Sequence, residues 1–155
     1  MRVAPSPLSE QLLSKQRLRL WIRLLGVTRT AEGSLREFLR LNHQTTLPRF
    51  DVLAALQRRG ERTTMSEISR MLLVSNGNVT AVVDRLEADG LVRRSTDGSD
   101  RRTVYVSLTA KGARQFARLA ADHEREVNEL FGSLSASEID SLTVILQRLR
   151  KGAVS

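Results

Sequence analysis

Residues 64–108, TMSEISRMLLVSNGNVTAVVDRLEADGLVRRSTDGSDRRTVYVSL, decide the fold of this chain of 155 residues. Their pattern predicts a helix, a tight turn, a second helix and a two-stranded hairpin. The first helix begins at a capping box, because the side chains of Thr64 and Glu67 can each bond the other residue's amide. The buried face of this helix consists of apolar residues at three- and four-residue spacing, namely Met65, Ile68, Met71 and Leu72.

The second helix follows a turn at residues 74–77, where Ser75 is a suitable N-cap. Its inward face is apolar at helical spacing and consists of Val79, Val82, Val83 and Leu86. The opposite face carries small polar residues, which suit a helix that enters the major groove of DNA and reads base edges. We predict that four residues of this face read bases, namely Asn76, Asn78, Thr80 and Ala81. Ser75 and Arg85 are predicted to bind phosphate, and Gly90 to end the helix as its C-cap.

Two short strands are predicted over residues 91–95 and 103–108, and the second alternates apolar with polar side chains. The turn-rich tip between them carries the pair Arg101 and Arg102, and arginine at a hairpin tip can enter a narrow minor groove. We predict that Asp100 pairs with one arginine and so directs the other to DNA. The helices and hairpin together predict a winged helix-turn-helix, in a mostly α chain with a small β-hairpin wing.

Two segments, VSNGNVTAVVDRLEADGLV at 74–92 and SDRRTVYVSLTAKG at 99–112, resemble the MarR family of bacterial transcriptional regulators. The resemblance covers roughly residues 15–150, and the second segment is its more specific half. It implies a dimeric DNA-binding regulator that binds small aromatic acids or related molecules between the dimer helices and the DNA-binding lobe. Some regulators of this kind sense oxidants through a cysteine, and this chain has none.

The formal charge of +8 indicates a polyanionic partner. Residues 1–46 carry eight basic and three acidic side chains, whereas residues 75–102 carry five of each. DNA binding by the second region therefore requires that its charges are separated in space. We predict that four arginines face phosphate while Glu87 and Asp89 point away, and these arginines are Arg85, Arg94, Arg101 and Arg102.

The flanking segments divide the chain into a loose arm at 1–7, an N-terminal helix at 8–46, the DNA-binding lobe at 47–108 and C-terminal helices at 109–151. The N-terminal helix is predicted to break near Gly26 or Gly33. A second capping box, Ser135 with Glu138, opens the last helix. The amphipathic outer helices carry more apolar surface than this lobe can cover. We therefore predict a symmetric homodimer that binds a palindromic operator.

The basic N-terminal helix has two interpretations. It is either a solvated basic face with Trp21 in the core or at a dimer contact, or a site for an anionic aromatic ligand or a phosphate-bearing thioester. A joint between this helix and the DNA-binding lobe also offers polar and aromatic side chains, of which a lone histidine is more often a capping or solvated residue. The candidate ligand-binding residues are Arg17, Arg19, Trp21, Arg23, Arg40, His43, Arg49 and Phe50.

No zinc-binding spacing, nucleophile elbow or phosphate-binding glycine loop occurs in the sequence, and it lacks cysteine. We therefore expect that the protein is not an enzyme and binds neither a metal nor a cofactor. Without a secretory pattern or an apolar run of about eighteen residues, we also expect a cytoplasmic protein without a membrane partner. The predicted function is a repressor released by an aromatic acid, a phenolic compound or an aromatic acyl-coenzyme A. The alternative is an architectural or non-specific DNA-binding module without an effector.

Overall fold

The computed structural model describes the backbone of residues 7–72, 76–98 and 102–152. The described elements are α1 (Pro7–His43), α2 (Leu47–Arg59), β1 (Thr63–Thr64), α3 (Met65–Leu72), α4 (Asn76–Ala88), β2 (Val92–Thr96), β3 (Val104–Leu108), α5 (Ala110–Phe131) and α6 (Ala136–Gly152). The predicted fold class, a mostly helical chain with a small antiparallel wing, is confirmed.

The first helix is continuous over 37 residues, so the predicted break near Gly26 or Gly33 is wrong. A glycine inside a helix costs only about 1 kcal/mol relative to alanine, which strong helix formers on either side can offset. The helix starts at Pro7, a residue type that suits a first helical turn, and residues 1–6 of the predicted arm lie outside the described residues. Its end is marked by Gln44, whose φ of 50° is left-handed.

The hydrophobic core lies between the three helices of the DNA-binding lobe and the sheet. Side chains from every part of the lobe are buried in it, and α1 and α5 each contribute one more. The fully or nearly fully buried members are Leu39, Val52, Leu53, Leu56, Ile68, Val79, Val83, Leu86, Leu91, Val92, Val106 and Leu119. Each such aliphatic side chain contributes about 1.5–3 kcal/mol through removal of apolar surface from water. This core holds α4 in a fixed orientation.

The sheet has three antiparallel strands in the order β1-β3-β2, whereas the sequence predicted two. The hairpin pairs Val92 with Leu108 and Thr96 with Val104. The additional strand, β1, is two residues long and pairs Thr63 with Val106. A two-residue strand has no periodicity that a sequence pattern can reveal, and only its position beside β3 defines it.

The outer helices leave much apolar surface uncovered. On α1 and α6, large apolar side chains are between 40% and 64% exposed, including Leu12, Leu13, Leu18, Leu20, Trp21, Ile22, Val27, Leu41, Ile139, Leu142, Val144, Ile145, Leu146 and Leu149. A cleft of about 540 Å³ runs between α5 and α6 and is lined mainly by apolar residues such as Val127, Ile139 and Leu146. Within the described ranges, no helix has the length and apolar character needed to cross a membrane.

Candidate nucleic-acid interface

The start of α3 is fixed by the predicted capping box. The Thr64 amide donates to Glu67 Oε2 at 2.8 Å, and the Glu67 amide donates to Thr64 Oγ1 at 3.2 Å. The backbone N–H of Thr64 and then its hydroxyl lower the pKa of Glu67, because both stabilise the carboxylate. The first helix of the helix-turn-helix therefore begins where the sequence predicts.

The second helix, α4, presents the face that the sequence assigns to DNA. Val79, Val83 and Leu86 are buried beneath it, while Val82 is only half-buried. The described residues of its opposite face, Asn78, Thr80, Ala81 and Arg85, are exposed. Their predicted exposure is confirmed, and their contacts with bases and phosphate stay predictions. The predicted N-cap Ser75 lies outside the described residues, and Asn76 is the first residue of the helix.

The end of α4 is anchored to the start of α5. Gly90 has a φ of +70°, and the amides of Gly90 and Leu91 bond the carbonyls of Glu87 and Leu86, each at 2.9 Å. This confirms the predicted glycine C-cap. The Leu91 carbonyl then accepts from the Thr109 amide at 3.0 Å.

Gly112 allows this anchor, because a Cβ at this position would lie 1.9 Å from the Leu91 carbonyl oxygen. The Thr109 hydroxyl caps α5 by accepting from the Gly112 amide at 3.0 Å and also donates to the Gly90 carbonyl at 2.7 Å. The segment LTAKG contributes to the family resemblance of the sequence, but the role of this glycine was not predicted. The threonine followed three residues later by glycine was the available signal.

Arg94 was predicted to face phosphate, and the structure gives it other partners. Its guanidinium donates to Glu87 Oε2 at 2.6 Å and to Asp84 Oδ1 at 2.5 Å, and its amide donates to Glu87 Oε1 at 3.0 Å. The amide and then the guanidinium of Arg94 lower the pKa of Glu87. With two carboxylates around it, Arg94 links the wing to α4, and its charge is already paired within the protein.

Two further arginines are paired with acidic residues of the lobe. Arg62 lies 4.4 Å from the Tyr105 ring centroid and bonds Asp97 in the wing at 3.1 Å. Arg49 of α2 forms a salt bridge with Asp89, just after α4, and lowers the pKa of this carboxyl. Residues 75–102 carry no net charge, but several of their carboxylates are bound in these pairs. Other cationic residues of the region can therefore stay on its outer surface.

The tip of the wing lies partly outside the described residues. Asp100 and Arg101, with the predicted pairing between them, belong to this part. Arg102 is exposed where the described chain resumes, two residues before β3. Arg85 is also exposed and forms no ion pair with any residue that the structure describes. The predicted entry of Arg101 or Arg102 into the minor groove stays a prediction.

The candidate ligand-binding residues do not form one site within a chain. Arg17 and Arg40 are 23 positions apart on the same continuous helix, which separates them by about 35 Å. Arg17, Arg19, Trp21 and Arg23 are exposed on the first half of α1, whereas the others lie at its far end. A single site would need the predicted break in the helix, and α1 is unbroken.

At the far end of α1, residues of three helices meet. The His43 Nε2 atom lies 3.0 Å from Asp122 Oδ2 of α5, and the ring of His123 stacks on Phe50 with centroids 4.2 Å apart. Burial lowers the pKa of His123. Arg40 forms an ion pair with Glu37 on the exposed surface, with 2.6 Å between Nη2 of Arg40 and Oε1 of Glu37. Throughout residues 7–72, 76–98 and 102–152, no three histidine and acidic side chains are grouped as a metal site requires.

Comparison with known proteins agrees with this geometry. Residues 43–103 match the model of the MarR family. The Bacillus subtilis regulator YkoM is 40% identical over 99 residues, which are 64% of each chain. MhqR of the same organism is 28% identical over 137 residues, covering 88% of this chain and 93% of MhqR. The crystal structure of the regulator BldR from Sulfolobus solfataricus, 29% identical, superposes with a TM-score of 0.75 over 86% of this chain and 96% of BldR.

The fold, the exposed face of α4 and these relatives define a winged helix DNA-binding transcriptional regulator rather than an enzyme. The chain spans about two thirds of the length of YkoM and most of the length of MhqR. It belongs to the MarR family, as the sequences of α4, the recognition helix, and of the wing predicted.

Proposed function

We propose that this protein is a homodimeric repressor that binds a palindromic operator and is released by a small aromatic effector. The observation that carries the proposal is the exposed face of α4, with Asn78, Thr80, Ala81 and Arg85 opposite an apolar face whose residues Val79, Val83 and Leu86 are buried. Amide and hydroxyl groups at this position are the groups that read base edges in the major groove. The proposal keeps the two contacts that the sequence predicts before these residues, Ser75 with phosphate and Asn76 with a base.

The dimer is supported by the apolar surface of α1 and α6. The side chains of Leu146 and Leu149 on α6 are 47% and 49% exposed, and Leu18 and Trp21 on α1 are 59% exposed. Many large apolar side chains exposed on the same two helices indicate a protein interface. A twofold dimer formed through these helices would present two α4 helices to successive major grooves, about one DNA turn apart. The operator is therefore an inverted repeat.

The effector is proposed to act on the junction of α1, α2 and α5, where His43, Phe50 and Arg49 lie. Aromatic rings and a guanidinium suit an aromatic acid or a phenolic compound. The first half of α1 carries Arg17, Arg19 and Arg23 beside Trp21. These residues would contact an aromatic acyl-coenzyme A bound at the α1–α2–α5 junction only if that junction belongs to the second subunit of the dimer. The effector releases DNA if it favours a spacing of the α4 helices that does not match the operator.

The experiment that tests the proposal is selection of bound duplexes from a random pool at near-physiological salt, followed by two variants on the enriched sequence. Recovery of one inverted repeat is expected, with a preference of about 10³-fold or more over random DNA. Asn78→Ala should relax the choice of base at specific positions, and Arg101→Ala should weaken the flanking contacts. Gln57→Ala, which removes an exposed amide from α2, is the matched control and should change neither.

Uniform, salt-sensitive binding without an enriched repeat would contradict the proposal and favour an architectural DNA-binding module. A regulator of operators acts at the bacterial chromosome, so the cytoplasmic location expected from the sequence is part of the proposal.

A further inference from the structure

A second cleft lies inside the DNA-binding lobe, against the recognition helix. It has a volume of about 340 Å³ and is bounded by the first half of α2, the end of α3 and the first half of α4. Of the lining residues that the structure describes, two carry polar side chains, Asp51 and Asn78, and the others are apolar, namely Pro48, Val52, Leu72, Val79, Ala81 and Val82. This size is at the lower end of the range for small-molecule sites in proteins.

Among the described residues of the lining, one side chain is ionisable, the carboxyl of Asp51. This residue is half-buried, and burial raises its pKa to about 6, with a further contribution from the charge of Glu32 on α1. The described lining residues of α3 and α4 carry no charge, and no basic residue in the described part of the chain forms an ion pair with Asp51. At neutral pH the described part of the cleft therefore holds a carboxylate that forms no ion pair, and the negative charge of Glu32 disfavours its ionised form further.

We propose that this cleft binds a small primary amine in its protonated form, carried on an apolar body. The ammonium group would pair with the Asp51 carboxylate, and the apolar body would lie against Val52, Leu72 and Val82. A cation bound here compensates a charge that is poorly solvated, and the apolar walls remove the remainder of the ligand from water. An anionic ligand, such as an aromatic acid, is repelled by Asp51 and Glu32. The site is therefore distinct in chemistry from the α1–α2–α5 junction.

Occupancy of the cleft is linked to DNA binding through α4. Asn78 and Ala81 line the cleft and also belong to the exposed face proposed to read bases. A ligand that contacts these residues competes with DNA for the same flank of the helix. This consequence depends on the proposed function, whereas binding of the amine to the free protein does not.

The test is calorimetric titration of the full chain, without DNA, with benzylammonium, benzyl alcohol and benzoate at pH 7.5. We expect benzylammonium to bind at least ten times more tightly than its neutral analogue benzyl alcohol, and benzoate to bind more weakly than either. For Asp51→Asn the preference for the ammonium ion should disappear. For Asp140→Asn, a matched change on the exposed surface of α6, the preference should persist. At pH 5 the affinity of the unmodified protein for benzylammonium should fall about tenfold, because Asp51 becomes protonated.

Equal affinity of the unmodified protein for benzylammonium and benzyl alcohol would overturn the proposal, and this comparison does not depend on the folding of any variant. An unchanged preference in Asp51→Asn would also overturn it. Competition is then measured with the selected duplex: benzylammonium should raise the apparent Kd for DNA of the unmodified protein but not of Asp51→Asn. If no duplex is selected, the proposed function fails while the titration still decides the amine site. If the amine binds without weakening DNA binding, the competition is overturned.

Discussion

The guanidinium of Arg94 in β2 and the carboxylate of Glu87 in α4 are 2.6 Å apart, and Asp84 holds the same guanidinium from one turn earlier in the helix. The wing and the recognition helix are thereby joined as one unit. A basic residue of the wing is therefore bound to two carboxylates of α4 and contributes to the position of this helix.

This relationship predicts different salt dependence for two arginine variants. Arg85→Gln should reduce the slope of the logarithm of DNA affinity against the logarithm of salt concentration by about 0.9 for each phosphate that the variant no longer neutralises. Arg94→Gln should leave the slope unchanged while it lowers the thermal stability of the protein. Fluorescence anisotropy with a labelled duplex at several salt concentrations measures both slopes. A reduced slope for Arg94→Gln would show that this residue contacts DNA.

Gly112→Ala should destabilise the protein by about 1–3 kcal/mol, because the added Cβ would overlap the Leu91 carbonyl oxygen and force the end of α4 and the start of α5 apart. Chemical denaturation followed by circular dichroism measures the free energy of unfolding. Gly33→Ala is the control: no atom lies within 4 Å of its added Cβ, and it should stabilise α1 by about 0.5–1 kcal/mol. Similar effects of the two variants would contradict the close approach at Gly112.

Asp51→Asn should stabilise the free protein at pH 7.5. The pKa of Asp51 in the folded chain is about 6, above the value of 3.8 for an unperturbed aspartate, so folding opposes its ionised form. A shift of this size corresponds to about 3 kcal/mol as an upper limit, and partial solvation reduces the expected gain to about 1–2 kcal/mol.

The gain from Asp51→Asn should decrease as the pH falls from 7 through 6 towards 4, because the folded aspartate then takes up a proton that the unfolded chain has not yet bound. Urea denaturation at pH 7.5 and pH 4.5 measures the difference. Glu32→Gln should also raise the free energy of unfolding at pH 7.5, by a smaller amount than Asp51→Asn. If the stability gained by Asp51→Asn did not change with pH, burial would not destabilise the ionised carboxyl of Asp51.

Gln44→Gly should stabilise the junction after α1 by about 1 kcal/mol, because Gln44 has a left-handed φ of 50° that costs less for glycine. The Thr45 amide bonds the Leu39 carbonyl at 3.3 Å across this residue. A thermal melt would measure the shift. Gln115→Gly, inside α5, is the matched control and should destabilise the protein by a similar amount.

The sequence predicted the parts of the fold that depend on neighbouring residues. The capping box of Thr64 and Glu67, the buried face of α4 and the C-cap at Gly90 all result from residues within one or two helical turns. Their spacing is therefore visible in a linear pattern. The exposure of Asn78, Thr80 and Ala81 follows from the same periodicity, because the apolar positions define the opposite face.

The features that the sequence did not reveal join residues that are distant along the chain. Thr63 pairs with Val106, Arg49 with Asp89, and Gly112 meets Leu91. Arg94 lies only seven residues from Glu87, but their contact requires the chain to reverse direction between α4 and β2. The candidate ligand residues lie apart within one chain because α1 is continuous, which their spacing along the sequence does not show. Their role in ligand binding stays a prediction.

The long α1 also gives the protein an internal optical probe. Trp21 is the single tryptophan of the sequence and is 59% exposed, on the half of α1 that lies away from the DNA-binding lobe. Its emission therefore reports the surroundings of this half of the helix. A shift of the emission to shorter wavelength with increasing protein concentration would follow subunit association directly, in unlabelled protein and in the absence of DNA.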